Sequence, residues 1–310
     1  MKKLFYFAIV ALLSLTACES PDEPGKSEGN SIGNSTGNQS GSIINPSAPV
    51  KPDDTDKPEE EKTDTLVVPG AGSFVAKPFS VSASKTVTFS PGNLQYHAAN
   101  DEWRFAPSQL DYIGEANANI SSTYNGWIDL FGWGTGNNPT NKSTDYNDYQ
   151  TFVDWGVNKI GSYSSNTWRT LTCYEWDYLC NKRPNYDKLI GVAQVNGVNG
   201  LILLPDAWVC PNGVTFKSGF HNDSGTEYYA AYQSISAAVW SKLKASGAVF
   251  LPSAGFRDGS SVSYVRYFGH YWSATEFHSS YANYLRIDSN EAYMYRSDRC
   301  LGHSVRLVQD

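Results

Sequence analysis

The sequence predicts an α+β domain of two principal helices, short antiparallel strands and long loops, carried behind an unstructured tether. Three observations predict it. Helical spacing of apolar residues occurs in only two short windows, after Thr172 and after Ser236. Short alternating or apolar runs, punctuated by Gly, Asn and Pro, fill most of the remainder from residue 73 onward. Between residues 18 and 72 almost nothing apolar is available to bury. Two helices among many short strands and long loops give the α+β class.

The elements follow in chain order. Lys2 and Lys3 form a basic start, and Leu4 to Leu13 is an apolar run without charge. Such a start marks a secretory signal over residues 1–17. The run is shorter than the roughly 20 residues a mature membrane helix needs. Leu15-Thr16-Ala17-Cys18 resembles the lipobox of bacterial lipoproteins. That resemblance implies cleavage before Cys18, lipid attachment at Cys18 and a membrane anchor. The plainer alternative is an ordinary signal peptide with a chance cysteine. Several acyl chains on one residue anchor more firmly than one.

Residues 18–72 read as a disordered tether. Gly29 to Gly41 repeats GNSI-GNST-GNQS-G, and Pro46, Pro49, Pro52 and Pro58 follow with the charged run Asp53 to Lys62. A flexible chain of about 54 residues reaches roughly 40 Å, enough to hold a domain clear of a membrane. Glu19, Asp22 and Glu23 resemble the acidic export signal of Bacteroides-type surface lipoproteins. A generic acidic linker is the alternative. Asp64-Thr65-Leu66 resembles an O-glycosylation site of the same bacteria.

The domain is expected over residues 73–310. Val81 to Phe89 alternates as a strand and Pro91-Gly92 turns it. Leu94 to His97 and Trp103 to Ala106 flank a hairpin turn at residues 98–101. Residues 107–170 are loop-rich. Thr172 and Glu175 form a capping box before Trp176, Leu179 and Cys180, which predicts a helix over 173–182. Leu189 to Val195 and Leu201 to Leu204 are strands around residues 196–200. A second helix runs from Ser236 or Ala237 to Ala245 and stops at Gly247. Ala248 to Leu251 is a buried strand ended by Pro252. Further strands are expected near 271–275, 282–288 and 303–309.

Composition narrows the function. The chain carries 24 basic and 31 acidic residues, and its net charge of −7 argues against nucleic acid as a partner. The 20 Tyr and 9 Trp against 2 Met supply rigid amphipathic rings rather than a pliable core. An exported chain can oxidise Cys173, Cys180, Cys210 and Cys300. Cys173 and Cys180 lie about 10 Å apart along one helix, too far to bridge. No spacing suggests zinc, so all four are read as structural or incidental.

The tail says most. Leu285 and Ile287 point one way along a strand, so Tyr284, Arg286 and Asp288 are expected to point the other. Tyr293 and Tyr295 alternate with Met294 in the same way. Phe277-His278-Ser279-Ser280-Tyr281 and Arg296-Ser297-Asp298-Arg299-Cys300-Leu301 lie between these runs. Rigid Tyr rings mixed with Ser and a few Arg are the chemistry of binding loops. The alternative is a solvated sheet face. Tyr264, Tyr267, Tyr281, Tyr284, Tyr293 and Tyr295 would then be exposed without a partner, an aggregation hazard.

Five separated motifs carry a family resemblance. They are Trp168-Arg169-Thr170-Leu171-Thr172 with Glu175-Trp176, Gly200-Leu201-Ile202-Leu203-Leu204-Pro205, Phe250-Leu251-Pro252-Ser253-Ala254-Gly255, Tyr271-Trp272-Ser273-Ala274-Thr275 and Ser304-Val305-Arg306-Leu307-Val308. Residues 75–310 resemble the Fibrobacter major paralogous domain of Bacteroidetes surface lipoproteins and the variable proteins of diversity-generating retroelements. The resemblance implies a C-type lectin-like fold related to the formylglycine-generating enzyme. It also implies a fixed scaffold whose outward side chains vary between the Trp-Ser and Ser-Val-Arg motifs. Those positions here are Phe277, His278, Ser279, Ser280, Tyr281, Tyr284, Arg286, Asp288, Tyr293, Tyr295, Arg296, Ser297, Arg299 and His303. Tyr264, Arg266, Tyr267 and His270 join them from just upstream. Cys300 and Leu301 fit no designed loop chemistry, and diversification would explain them.

Enzyme readings fare worse. The formylglycine-generating relatives use a late cysteine pair, and only Cys300 stands there. His-Glu-x-x-His and Gly-x-Ser-x-Gly are absent. His97, His221, His270, His278 and His303 are scattered and make a poor zinc set. Gly132-Trp133-Gly134-Thr135-Gly136 reads as a turn rather than a phosphate loop. Asp145, Asn147 and Asp148 could ligate calcium, though a polar loop is the simpler reading. No cofactor, metal or catalytic residue is therefore assigned. Two functions stand. One is a displayed binding protein whose Tyr-rich face takes an extracellular protein or glycan. The other is a structural or adhesive tip component of a surface fibre or envelope coat.

Overall fold

The structure is a computed structural model that describes residues 75–220 and 232–310. The signal sequence, Cys18, the tether, the first residues of the expected domain and His221 lie outside the described residues.

Six short strands come first: β1 (Phe79–Ser80), β2 (Thr86–Phe89), β3 (Leu94–His97), β4 (Glu102–Phe105), β5 (Trp127–Ile128) and β6 (Arg169–Thr170). Helices α1 (Cys173–Asp177) and α2 (Tyr186–Leu189) precede β7 (Ile190–Val195), β8 (Val198–Leu203) and β9 (Gln233–Ile235). Helix α3 (Ala237–Ala245) leads to β10 (Val249–Pro252), β11 (Phe256–Asp258) and β12 (Ser261–Ser263). The tail forms β13 (Gly269–His278), β14 (Tyr281–Ile287), β15 (Ala292–Asp298) and β16 (Leu307–Gln309). Few helices among many short, mainly antiparallel strands make this an α+β domain.

Local chemistry sets the boundaries. Thr172 Oγ1 accepts from the Glu175 amide and Glu175 Oε2 accepts from the Thr172 amide, closing the capping box on α1. The helix continues as a π-helical turn over Tyr178–Lys182 and buries Trp176, Leu179 and Cys180. Ser236 caps α3, and Gly247 ends it at φ +93°. The β7–β8 turn is tighter than the composition suggests. Asn196 and Gly197 take φ 49° and 83°, so Val198 already belongs to β8. The expected strand over 81–89 is interrupted. The amides of Val81 and Ser82 donate to the Lys85 carbonyl, folding the small residues between into a turn that joins β1 to β2.

The sheets order as β1-β2-β16-β6, β10-β8-β7-β9, β13-β14-β15 and β4-β3-β5, with β11-β12 a separate hairpin. One apolar cluster joins Trp176, Leu201, Leu251, Leu285 and Ile287. A second, rich in rings, joins Trp103, Phe131, Trp155, Trp272 and Tyr284. The third packs α3 on β8 and β10 through Trp240, Leu243 and Phe250. No disulfide forms among the described residues, and none of their helices is long and apolar enough to cross a membrane.

The candidate binding face

The tail sheet carries the expected face. Register pairs place His270, Arg286 and Tyr293 in one row across β13-β14-β15, and Trp272, Tyr284 and Tyr295 in the next. Residues directly opposite share a face. The other face holds Tyr271, Leu285 and Met294, which enter the first apolar cluster.

The row containing Tyr284 is not open. Strand β14 is central in its sheet, and from residue 282 to residue 285 both of its faces are covered. Tyr284 is 8 % exposed and packs against Trp272, His303 and His270 at ring-centroid distances of 6.2, 4.7 and 4.9 Å. Burial pushes its hydroxyl up to about 12. His270 is buried and stacked on Phe256 at 5.4 Å, and His303 is fully buried against Trp272 at 4.1 Å. Burial, then the nearby Arg286 charge, lowers His270 to about 3.

Asp288, Ser297 and Arg299 are also buried. Asp288 Oδ1 accepts from the amides of Asn290 and Glu291 and so builds the β14–β15 turn, while its Oδ2 accepts from Arg286. Ser297 sits opposite the buried Ala282. Arg299 donates to the carbonyls of His278, Tyr149 and Tyr281 at 2.6, 3.3 and 3.4 Å, pairs with Glu276 and lies over the Trp133 ring at 4.5 Å. The outward orientation expected for His270, Tyr284, Asp288, Ser297, Arg299 and His303 is therefore corrected. Each is scaffold, and Asp288 and Arg299 are buried with polar partners that meet their charges.

The remaining positions fall into two groups, at opposite ends of β14. At one end the turn 264–268 presents Tyr264 and Tyr267, which are 53 % and 45 % exposed, with Arg266 exposed between them. Tyr264 and Arg266 hold left-handed backbone at φ 58° and 73°. That conformation is strained for side chains of this kind and concentrates at functional sites. The turn is pinned by amides of Tyr267 and Phe268 donating to the Tyr264 carbonyl. Arg266 Nε reaches Tyr112 Oη at 3.3 Å. Tyr264 stacks on Phe256 at 5.8 Å and meets Phe268 at 5.0 Å. The Arg286 guanidinium lies between Phe268 and Tyr295, 4.8 and 5.2 Å from their centroids. Tyr293 completes the strip against Tyr295. Tyr295 Oη donates to Glu291, and burial followed by that bond raises it to about 12.

At the other end, roughly 17 Å along β14 by strand geometry, the β13–β14 hairpin exposes Phe277, His278, Ser279 and Tyr281, with Ser280 half-buried. Arg296 covers the Phe277 ring at 3.8 Å. The tail thus holds two separate surfaces rather than one continuous face.

Sequence reasoning missed Phe256 and Phe268, which floor the first group, and Tyr112, which comes from a distant loop. The Gly259-Ser260 pair between Asp258 and Ser261 was a usable hairpin signal for β11–β12. Asp145 does not open toward a metal. Its Oδ1 accepts from both nitrogens of Asn147, and no cluster able to hold a metal ion occurs among the described residues. No family model, curated protein or solved structure matches the chain.

Proposed function

We propose that this chain is a lipid-anchored surface protein of the outer membrane that binds an extracellular protein or glycan and performs no chemistry of its own. The ligand face is the strip of Tyr264, Arg266, Tyr267, Arg286, Tyr293 and Tyr295. The observation that carries the reading is the turn 264–268. It holds two non-glycine residues in left-handed backbone to expose two tyrosines beside an Arg already sandwiched by rings. Exposed Tyr and Arg anchors on a rigid support are what binding hot spots use.

The scaffold is proposed to be C-type lectin-like. Its support is the behaviour of the two motifs that bracket the tail. Tyr271 bridges Ser304, the Trp272 amide donates to the Ser304 carbonyl, and Trp272 and Val305 are buried. Arg306 is buried too, donating to Asn93 and Gln109. The brackets therefore close on each other, and the segment between them is presented as a unit from a fixed base. Anchoring at Cys18 and retroelement diversification of the tail belong to the same reading and rest on the sequence resemblance.

The test uses wild type and a Tyr264→Ala/Tyr267→Ala/Tyr293→Ala variant, assayed for saturable binding to an extracellular matrix and glycan panel. Lost binding is the expected result, with a melt that stays cooperative and falls by only a few degrees as the ring contacts are removed. Undiminished binding by the variant would remove the face from consideration. Tyr284→Ala is unsuitable for this purpose, because its buried ring would leave a cavity. Labelling with radioactive palmitate, absent in Cys18→Ser, tests the anchor.

A further inference from the structure

We infer that the cleft between residues 133 and 153 is a second binding site, built for a neutral saccharide. It is separate from the Tyr264 strip and does not depend on it.

The cleft forms where the glycine-rich run 132–136 packs on the segment 149–154. The Val153 amide donates to the Gly134 carbonyl, and the Gly136 amide donates to the Val153 carbonyl. Gly132 permits this approach, because a Cβ there would collide with the Tyr149 ring. Gly134 adopts φ +69° against Phe152. The cleft is half open to solvent and offers about 440 Å³, within the range of small-ligand pockets, roughly 300–1,000 Å³.

Its lining decides the ligand class. Asn137, Asn138, Asn141, Asn147 and Gln150 supply amides and Asp148 a carboxylate. Amides both donate and accept, which matches hydroxyl groups that do the same. No Lys, Arg or His lines the space, so an anion would meet only Asp148. The two large rings of the lining, Trp133 and Tyr149, are each 2 % exposed and serve as foundation. An apolar or lipid ligand would find little to bury against. Arg257 and Arg299 lie behind the walls, but their donors are spent on the carbonyls of Asn141, Tyr149 and Gln150 among others.

Several lining groups are already held in place. Asn141 donates to the Asp148 carbonyl and accepts from the Ser143 amide. The Asn147 nitrogens are held by Asp145, and no protein donor reaches its Oδ1 among the described residues. Gln150 Nε2 is fixed by the carbonyls of Tyr146 and Ser279 at 2.9 and 2.8 Å, leaving Oε1 to accept from a ligand. Fixed amides lose little freedom on binding. The Gln150–Ser279 bond and Arg299 also tie this wall to the hairpin that exposes Phe277 and Tyr281. Amides held around a cleft of this size suit the ring of hydroxyl groups that a pyranose presents.

The test is saturation-transfer NMR on the full chain with the methyl glycosides of glucose, galactose, mannose and N-acetylglucosamine. Each is used at about 10 mM, a concentration that registers a millimolar Kd. Sialyllactose is the anionic arm. The expected result is transfer to at least one neutral glycoside, weakened about tenfold or more by Asp148→Ala and unchanged by Tyr264→Ala. Asn137→Ala/Asn138→Ala gives a second loss without disturbing the fold, since neither side chain bonds to the described residues. The inference is overturned by silence from all four glycosides, by preference for sialyllactose, or by full binding in both cleft variants. Binding that follows Tyr264 instead would place the sugar on the other surface and equally refute the cleft.

Discussion

Among the described residues, His303 has no partner for either ring nitrogen, and His270 beside it lacks one for Nδ1. Burial lowers His303 well below its ordinary range, and the closeness of His270 disfavours a proton on it further. Both rings are therefore neutral in the folded protein, whereas an unfolded His titrates near about 6.5. The groups around them are Arg286, Tyr284, Trp272, Phe256 and Arg257, and none offers a carboxylate. Because the folded pKa is depressed for a base, the unfolded chain binds more protons at low pH. The stability the pair confers is fully present above about pH 6.5 and declines below it, by up to about 1.4 kcal/mol per pH unit for each ring. Asp129 works the other way. Burial raises its carboxyl to about 6 despite bonds from Asn117 and Ile113. It gains stability as pH falls from about 6 to 4. One opposing group against two leaves a net loss. Urea midpoints at pH 7.5, 6.5 and 5.5 should fall in that order. His303→Phe keeps a ring and should flatten the slope between the last two. An unaltered slope in that variant would show that His303 does not titrate on unfolding.

At the level of elements, the turn 264–268 sets strain against packing. Left-handed backbone at Tyr264 costs roughly 1 kcal/mol. Its ring contacts with Phe256 and Phe268 return roughly 0.5–1.5 kcal/mol. Tyr264→Gly removes both, so the melting temperature should move by only a few degrees while ligand binding drops. A large fall in melting temperature would mean that the ring serves the fold and not a ligand. The same scale shows what the sequence made readable. Helices α1 and α3 were legible because their end signals are local: Thr172 with Glu175, Ser236, and Gly247. The β3–β4 hairpin was legible for the same reason, its turn closing at Asp101 in left-handed backbone. The tail face was only half legible. Alternation along β14 separates Leu285 from Tyr284 correctly, but it cannot reveal that a second apolar cluster covers the Tyr284 side. Arg299 misleads similarly. Its residue type suits a binding loop, and only the folded chain brings the carbonyls of 149, 278 and 281 to its donors.

Across the whole molecule, the last strand supports everything upstream of it. Strand β16 lies between β2 and β6, pairing Val308 with Phe89 and Leu307 with Thr170. The Ser90 amide donates to the Leu307 carbonyl and the Leu94 amide to the Val305 carbonyl. The chain end thus stitches the β2 and β6 regions together, and the closed brackets at Tyr271 and Ser304 inherit their position from it. Asp310 adds ion pairs to Lys85 and Arg169. Its side chain is 55 % exposed, so those pairs contribute at most about 1 kcal/mol after solvent screening. The two contributions can be separated. Asp310→Asn should leave cooperative melting intact with a small downward shift. Deleting residues 307–310 removes a central strand, uncovers Phe89 and leaves backbone groups of β2 and β6 unpaired. Near-ultraviolet circular dichroism, which reports the packed tryptophans of the ring-rich cluster, should then lose its cooperative transition. If the truncated chain still melted sharply, the tail sheet would be an independent unit. Variation in the outward tail residues would in that case need no support from the N-terminal strands.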